Sequence, residues 1–371
     1  MKHFYIFFFL IFSFTLTAQP TGYYSSATGT GYTLKTQLKQ IIDDVSDGLT
    51  NEFIYIDNGY GYLYTTYLSS DRDIYYENDG TVLDMYSEKP SGPDAYEYTY
   101  EIETPDDRDS GTGGTSEGEF YNREHIIPQS VFDSNDPMKG DAHFVVPSDK
   151  YVNAQRGNLP FGKVQTANYT STNGSKRGNN LNSGYSAGYS SEVFEPIDEF
   201  KGDIARMYFY FVTRYEVGLT GFNPYEMFDG STNQALTQTF LNILYAWHIQ
   251  DPVSQRERDR NNAIFIEQNN RNPFIDHPEY VQSIWGNLLS NDKNITVDFK
   301  IYPNPTKGNF LNIVTNEALT VEIYDILGKK VLESNVNSEN QKIQIGTLNK
   351  GIYLLRLISE NGQTTKKLIK N

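Results

Sequence analysis

One stretch, residues 121–158, limits most what this chain can build. It reads Tyr121-Asn-Arg-Glu124-His125-Ile-Ile-Pro128, then Asp141-Ala-His143-Phe-Val-Val-Pro-Ser-Asp149, then Lys150-Tyr-Val-Asn153-Ala-Gln-Arg156-Gly-Asn158. Ile126-Ile127 and Phe144-Val145-Val146 are short β-prone runs, each closed by a proline, and the polar, glycine-containing segment 133–140 joins them, which predicts a hairpin. Ser148 or Asp149 is placed to cap a helix whose first two turns carry Asn153 and Arg156. The unit therefore reads strand, loop, strand, helix. A helix laid back across such a hairpin brings Asn153 beside Glu124 and His125, so that one carboxylate, one amide oxygen and one imidazole meet at a single spot.

Those parts suit metal-assisted phosphodiester hydrolysis. A hard divalent cation takes oxygen ligands and keeps several waters, so Glu124 and Asn153 are enough protein to hold it. Neutral imidazole accepts a proton from water near pH 7, which makes His125 the expected general base. The cation offsets charge developing on the phosphate and the leaving oxygen.

The motifs Asn122-Arg-Glu-His-Ile-Ile-Pro-Gln-Ser130, Asp141-x-His-x-Val-Val-Pro147 and Val152-Asn-x-x-Arg-x-Asn-x-Pro-Phe-Gly162 resemble the bacterial endonuclease I family of secreted nonspecific nucleases, within the ββα-metal (His-Me finger) group. The resemblance implies that His125 is the general base, that Glu124 and Asn153 hold Mg²⁺, with Mn²⁺ or Ca²⁺ as alternatives, and that the cut leaves a 5′-phosphate. Two positions depart from the pattern. Phe144 stands where the family often has Asn, and the loop between the strands offers Lys139 where some members carry an arginine. The cation that holds the product phosphate is thus either Arg156, taken as the second catalytic residue, or Lys139.

The rest of the chain sets the surroundings. Lys2 and His3, the apolar run Phe4 to Leu16 and the small residues Thr17-Ala18 predict a signal peptide over 1–18. No later run is apolar and long enough to span a bilayer. With no cysteine, disulfides, thiolate-bound zinc and thiol catalysis are excluded. The net charge of −16 argues against a protein that coats nucleic acid by neutralising many phosphates. The acidic excess is concentrated before residue 121, leaving Arg123, Arg156, Lys163, Lys176 and Arg177 as a candidate local basic groove.

The fold class expected is α+β, a mostly helical nuclease domain over 19–290 built around the catalytic hairpin and helix. A helix is predicted from Leu34 to Leu49, strands or extended packing around a hairpin within Tyr55–Tyr67 and Asp73–Met85, and a mobile acidic loop over 101–119, read as a loop rather than a Ca²⁺ site. Residues 163–191 read as a long loop, either along the nucleic-acid backbone or simply solvated. A buried helix starts at Lys201, with Asp203 and Arg206 as an ion pair or as support for the site, and a further helix is capped by Asp251 and ended by Asn269-Asn270. His248 and His277 read as core or hydrogen-bonding residues, Arg271 as a possible phosphate anchor, and His143 as either a residue orienting a ligand or a packed strand residue.

After a linker over 291–298, residues 299–371 alternate in a β pattern broken by Gly, Asn and Pro turns, predicting a small all-β sandwich. Tyr302-Pro-Asn-Pro305, Tyr324-Asp-x-x-Gly328-Lys and Gly351-x-Tyr-x-Leu-Arg356 resemble the C-terminal sorting domain of the type IX secretion system. The resemblance implies export to the cell surface or beyond. The leading expectation is a secreted, metal-dependent, nonspecific endonuclease acting on DNA, with RNA as a further substrate, monomeric, with the type IX machinery as its partner. The alternative is an extracellular surface-binding or adhesion protein on a degenerate nuclease fold.

Overall fold

The computed structural model describes residues 19–43, 53–100, 107–222, 225–289, 300–315, 318–325, 329–359 and 362–371. The expected signal peptide and linker lie outside them, as do the end of the first predicted helix and the start of the acidic loop. The chain divides into two compact units, Met1–Gly286 and Asn287–Asn371. Its class is α+β.

In the first unit, α1 (Gly31–Ile42) buries Leu34, Leu38, Ile41 and Ile42 along one face, the spacing that a helix needs to dock a single stripe. A second helix, α2 (Leu63–Ser70), stands where alternating tyrosines predicted a strand. Tyr60, Tyr64 and Tyr67 also recur at helical spacing, and the Tyr64 and Tyr67 rings meet edge-on at 6.1 Å. That second periodicity decides the conformation. Residues 73–85 form no strand either, although Arg72 and Val82 make a single bridge. The Asp73 carboxylate accepts the N–H groups of Tyr75, Tyr76, Glu77 and Asn78, so these donors are spent on a side chain instead of on a ladder.

The predicted hairpin and helix are present, with both strands shifted: the first runs back from His125, and the second runs on through Pro147 to Asp149. β1 (Tyr121–His125) pairs antiparallel with β2 (Val145–Asp149), placing Glu124 opposite Val146 and His125 opposite Val145. Ile126 and Ile127 lie just past the strand's end, fully buried. The strand runs back instead into polar residues that burial, not hydrophobicity, puts in the sheet. α3 (Lys150–Arg156) follows directly, capped by the Asp149 side chain, which accepts from Val152 N at 2.8 Å.

Residues 163–191, predicted as a long loop, contribute to a three-stranded antiparallel sheet of β3 (Val164–Thr170), β4 (Lys176–Asn180) and β5 (Glu192–Glu195), in that order. β3 and β4 are largely polar, and β3 is mostly exposed, which hides them from a hydrophobic-period reading, whereas β5 buries Val193 and Phe194. α4 (Lys201–Arg214) is buried along its whole length, as its apolar circumference predicts. Around it lie α5 (Gln238–Gln250), α6 (Gln255–Gln268), α7 (Pro273–Asp276) and α8 (Glu279–Leu289). The cap of α6 is Ser254, in a reciprocal capping box with Glu257, and not Asp251. Asp251 instead accepts from Gly202 N at the start of α4, at 2.7 Å. Asn269 ends α6 in the left-handed region, φ 63°, which Asn tolerates better than most residues.

Buried ion pairs tie α4 to its neighbours. Arg206 makes a two-pronged contact with Glu257 at 2.5 and 2.8 Å, so the Asp203 and Arg206 segment is structural cross-linking between α4 and α6. Asp141 is wholly buried and accepts from Arg214 (2.5 Å), Tyr210 (2.9 Å) and Tyr215 (2.8 Å), while Gln268 donates to its other oxygen at 3.0 Å.

The second unit holds two antiparallel sheets. β6 (Lys300–Tyr302), β7 (Phe310–Val314) and β10 (Lys342–Gln344) form one, in order β10-β7-β6. The other is ordered β12-β11-β8-β9, from β8 (Leu319–Tyr324), β9 (Lys330–Val336), β11 (Gly351–Ser359) and β12 (Gly362–Lys370). Leu311, Ile313, Val321, Ile323, Leu355 and Leu368 pack together as its core, with the every-other-residue burial of a sheet.

Removing Asp141 strands the Arg214 charge in the core. Asp141→Ala is expected to cost about 3–5 kcal/mol, measurable as a lower midpoint in urea unfolding; an unchanged midpoint would mean that this cluster does not anchor the fold.

Candidate active site

The hairpin and α3 open on a polar cleft of about 560 Å³ whose walls include Tyr60, Asn122, Arg123, Glu124, His125, Asn153, Arg156 and Asn158. The structure thus brings together all four residues expected at the site. His125 is nearly buried, 5% exposed. Its Nε2 lies 3.0 Å from the carbonyl oxygen of Lys139. A carbonyl only accepts, so Nε2 carries the hydrogen, and in the neutral ring Nδ1 is left with its lone pair. Burial, helped by the charges of Arg123 and Lys139, pushes the imidazole pKa down to about 4, against the opposing pull of the Lys139 carbonyl. The ring is therefore neutral at pH 7.

The Lys139 carbonyl belongs to the tight turn Met138–Gly140, and the next residue is the buried anchor Asp141. Gly140 sits so close to Gly59 and Tyr60 that an added Cβ would lie 3.1 Å from the Gly59 carbonyl carbon and 3.2 Å from the Tyr60 nitrogen. Tyr60 then reaches over the site, its ring centroid 5.6 Å from that of His125.

Glu124 is 2% exposed. Its Oε1 accepts from Tyr86 Oη at 3.1 Å and lies 3.3 Å from Arg156 Nη1. Burial outweighs both favourable partners, so the carboxyl pKa rises to about 7. Asn153 donates from Nδ2 to Asn122 Oδ1 at 2.8 Å, which turns the amide nitrogen to Asn122 and leaves the amide oxygen on the other side. A carboxylate and an amide oxygen lining one cleft are hard oxygen donors, the set that a divalent cation such as Mg²⁺ or Ca²⁺ takes.

Arg156 is buried at the base of the cleft. It donates to the carbonyls of His125 (2.9 Å) and Ile126 and lies over the Phe161 ring. Arg123 lies at the cleft wall, its guanidinium 3.5 Å from the Tyr60 ring centroid and 4.5 Å from that of Tyr64, donating to the Tyr60 carbonyl. Lys139 Nζ lies 5.0 Å from the same Tyr60 centroid.

Of the five residues expected in a basic groove, Arg123 and Arg156 line the cleft and Lys163, Lys176 and Arg177 do not. Lys163 pairs with Glu195 and Arg177 with Glu192, while Arg271 is held by Asp276. His143 packs on Tyr210 and contacts the Asn270 carbonyl at 3.1 Å, a core histidine. His248 contacts the Pro278 carbonyl, and His277 pairs with Glu279. Sequence reading missed Tyr86, Tyr60 and the Lys139 carbonyl. Asn122, Arg123 and Asp141, by contrast, fall inside the quoted motifs.

A buried imidazole beside a carboxylate and an amide oxygen in a polar cleft is a set of groups suited to hydrolysis. Residues 30–279 match the model of the Endonuclease I family, and the chain belongs to that family. Residues 300–371 match the secretion system C-terminal sorting domain. The chain is 35% identical over 222 residues to an extracellular ribonuclease of Bacillus amyloliquefaciens, covering 59% of this chain and 71% of that one. It is 36% identical over 215 residues to an extracellular ribonuclease of Bacillus subtilis strain 168, covering 57% and 68%. The protein is a nuclease, and its type IX sorting domain assigns it to the exterior or the cell surface. No helix among the described residues is long and apolar enough to cross a membrane.

Gly140→Ala forces the turn off the Gly59–Tyr60 backbone and with it the carbonyl that holds His125. The expected result is a loss of about 1–3 kcal/mol of stability together with slower nucleic-acid cleavage, read by thermal melting and a nuclease assay on the same sample. Full activity would show that the turn's position does not matter.

Proposed function

We propose that this enzyme is a metal-dependent, sequence-nonspecific endonuclease that hydrolyses both DNA and RNA, with His125 as the general base. The observation that carries the reading is the bond from His125 Nε2 to the Lys139 carbonyl, in a cleft shared with Glu124 and Asn153. It leaves Nδ1 to take a proton from an attacking water. Glu124 and Asn153 would hold the cation. When bound, that ion supplies charge stabilisation at the phosphate and the leaving oxygen.

Arg156 is a positioning residue in this scheme. Its guanidinium braces the carbonyls of His125 and Ile126 and faces Glu124, which fixes the end of β1 where acid and base sit side by side. Arg123, on the cleft wall, is the better placed of the cations to meet a phosphate oxygen. Because the nucleophile is water, the reaction needs no ribose 2′-hydroxyl. That supports action on DNA as well as on RNA, the substrate in the names of both Bacillus relatives. Each cut, in DNA or in RNA, then leaves a 5′-phosphate on one fragment and a 3′-hydroxyl on the other, with no 2′,3′-cyclic ends.

His125→Ala is expected to slow cleavage of plasmid DNA and of RNA alike, by about 10²–10⁴-fold; cleavage of RNA at the wild-type rate would assign the proton transfer to another group. Glu124→Gln and Asn153→Ala should raise the Mg²⁺ concentration needed for half-maximal rate, and an unchanged requirement would remove them from the cation.

The pH dependence has a definite sign. Glu124 is raised to about 7 and must ionise to bind a cation, so the Mg²⁺ requirement should climb as pH falls below 7, by up to about tenfold per unit. His125, lowered to about 4, stays neutral throughout that window. Saturating Mg²⁺ should therefore carry the acid limb of the rate profile downward from 7; an acid limb that ignores Mg²⁺ would contradict this division of roles.

A further inference from the structure

A second group of acids lies outside the cleft. One carboxylate oxygen from each of Asp73, Glu77 and Glu88 falls within 4.8 Å of the other two. Asp73 and Glu88 are 2% and 1% exposed, and Glu77 is half-buried. Acids often cluster without purpose, so the group alone decides nothing. The deciding feature is Glu88: its Oε1 is buried without any hydrogen-bond donor, although a buried carboxylate normally finds one. Its electrostatic neighbours include Asp94 and Asp84 as well as Asp73 and Glu77, which adds like charge to a place already crowded with it.

We propose that Asp73, Glu77 and Glu88 bind a structural divalent cation of the calcium type, separate from the cation at Glu124 and Asn153. Three carboxylates supply hard oxygens to an ion that accepts 6–8 of them, with water at the half-exposed Glu77 side completing the shell. The backbone already favours it. The Asp73 carboxylate gathers the N–H groups of residues 75–78 and so curls the chain until Glu77 returns beside Asp73. Glu88 comes from the turn that begins at Asp84, whose carboxylate accepts from Asp149 N at 2.8 Å. Asn173 clamps the same turn through the carbonyls of Met85 and Glu88.

The location gives the ion a task. Tyr86, two residues before Glu88, is the donor to Glu124 Oε1. A cation that ties Glu88 to the 73–77 curl would stiffen the turn that supports the catalytic carboxylate from behind. Its existence does not depend on the nuclease mechanism.

The test is calcium binding by the chelator-treated full-length protein, followed by calorimetry and thermal melting. Wild type is expected to gain roughly 5–10 °C in Tm at Ca²⁺ near 100 times Kd. Glu124→Gln combined with Asn153→Ala should keep that gain, which separates the two sites. Glu88→Gln should lose it, yet melt no lower than wild type in chelator, because it relieves repulsion among the acids. Glu77→Gln, at the half-exposed position, should weaken Ca²⁺ binding by at least tenfold and guards against misfolding of the buried variant. An equal gain in Glu88→Gln and Glu77→Gln, or no gain in wild type, would overturn the proposal; the second outcome would mean that a shared proton neutralises the group instead.

Discussion

The hydrogen bond between His125 Nε2 and the Lys139 carbonyl is the contact on which the rest of the site depends. An imidazole is useful as a base only if one nitrogen is committed and the other is left bare, and the commitment must come from a group that cannot change sides. A main-chain carbonyl meets that condition, since it has no proton to give. Its position must in turn be fixed, and the fold fixes it by following Lys139 almost at once with Asp141, buried among Arg214, Tyr210, Tyr215 and Gln268. The link from the central helix α4 to the catalytic ring therefore runs through two residues of chain.

The same economy holds on the acid side. Glu124 is buried deeply enough that its charge is expensive, and Tyr86 and Arg156 offset only part of the cost. A carboxylate kept short of full compensation has strong reason to welcome a cation. Were it fully satisfied by protein donors it would bind metal poorly. Arg156, which also braces the carbonyls at the end of β1, joins the two halves of the site: it touches the backbone of the base and the side chain of the acid.

Much of this was legible in the residues themselves. The adjacency of Glu124 and His125, the helix carrying Asn153 and Arg156, and the capping role open to Asp149 follow from local spacing and cap chemistry. The β-sandwich core likewise follows from alternation in residues 299–371. What stayed hidden has a common cause. The strand Tyr121–His125 and strands β3 and β4 are built mainly from polar residues, so hydrophobic period gives no sign of them. Tyr60 and Tyr86 lie 65 and 39 positions before His125 in the chain numbering, and nothing local announces a contact made only by folding. The Lys139 carbonyl is a main-chain group, to which side-chain identity is silent. The charge pattern misleads in a different way: Lys163 and Arg177 suggest a phosphate-facing groove, but each is paired with a glutamate of β5 and neither lines the cleft.

The central claim is that His125 rests at neutral pH as the Nε2–H tautomer, with Nδ1 open to the cleft. With five histidines in the chain, ¹⁵N-labelled imidazoles can be resolved by NMR and His125 assigned by its loss in a His125→Ala sample. The account predicts a protonated Nε2 and an unprotonated Nδ1 for His125 from pH 8 down to about 5. A ring protonated on Nδ1, or one already doubly protonated at pH 6, would contradict it.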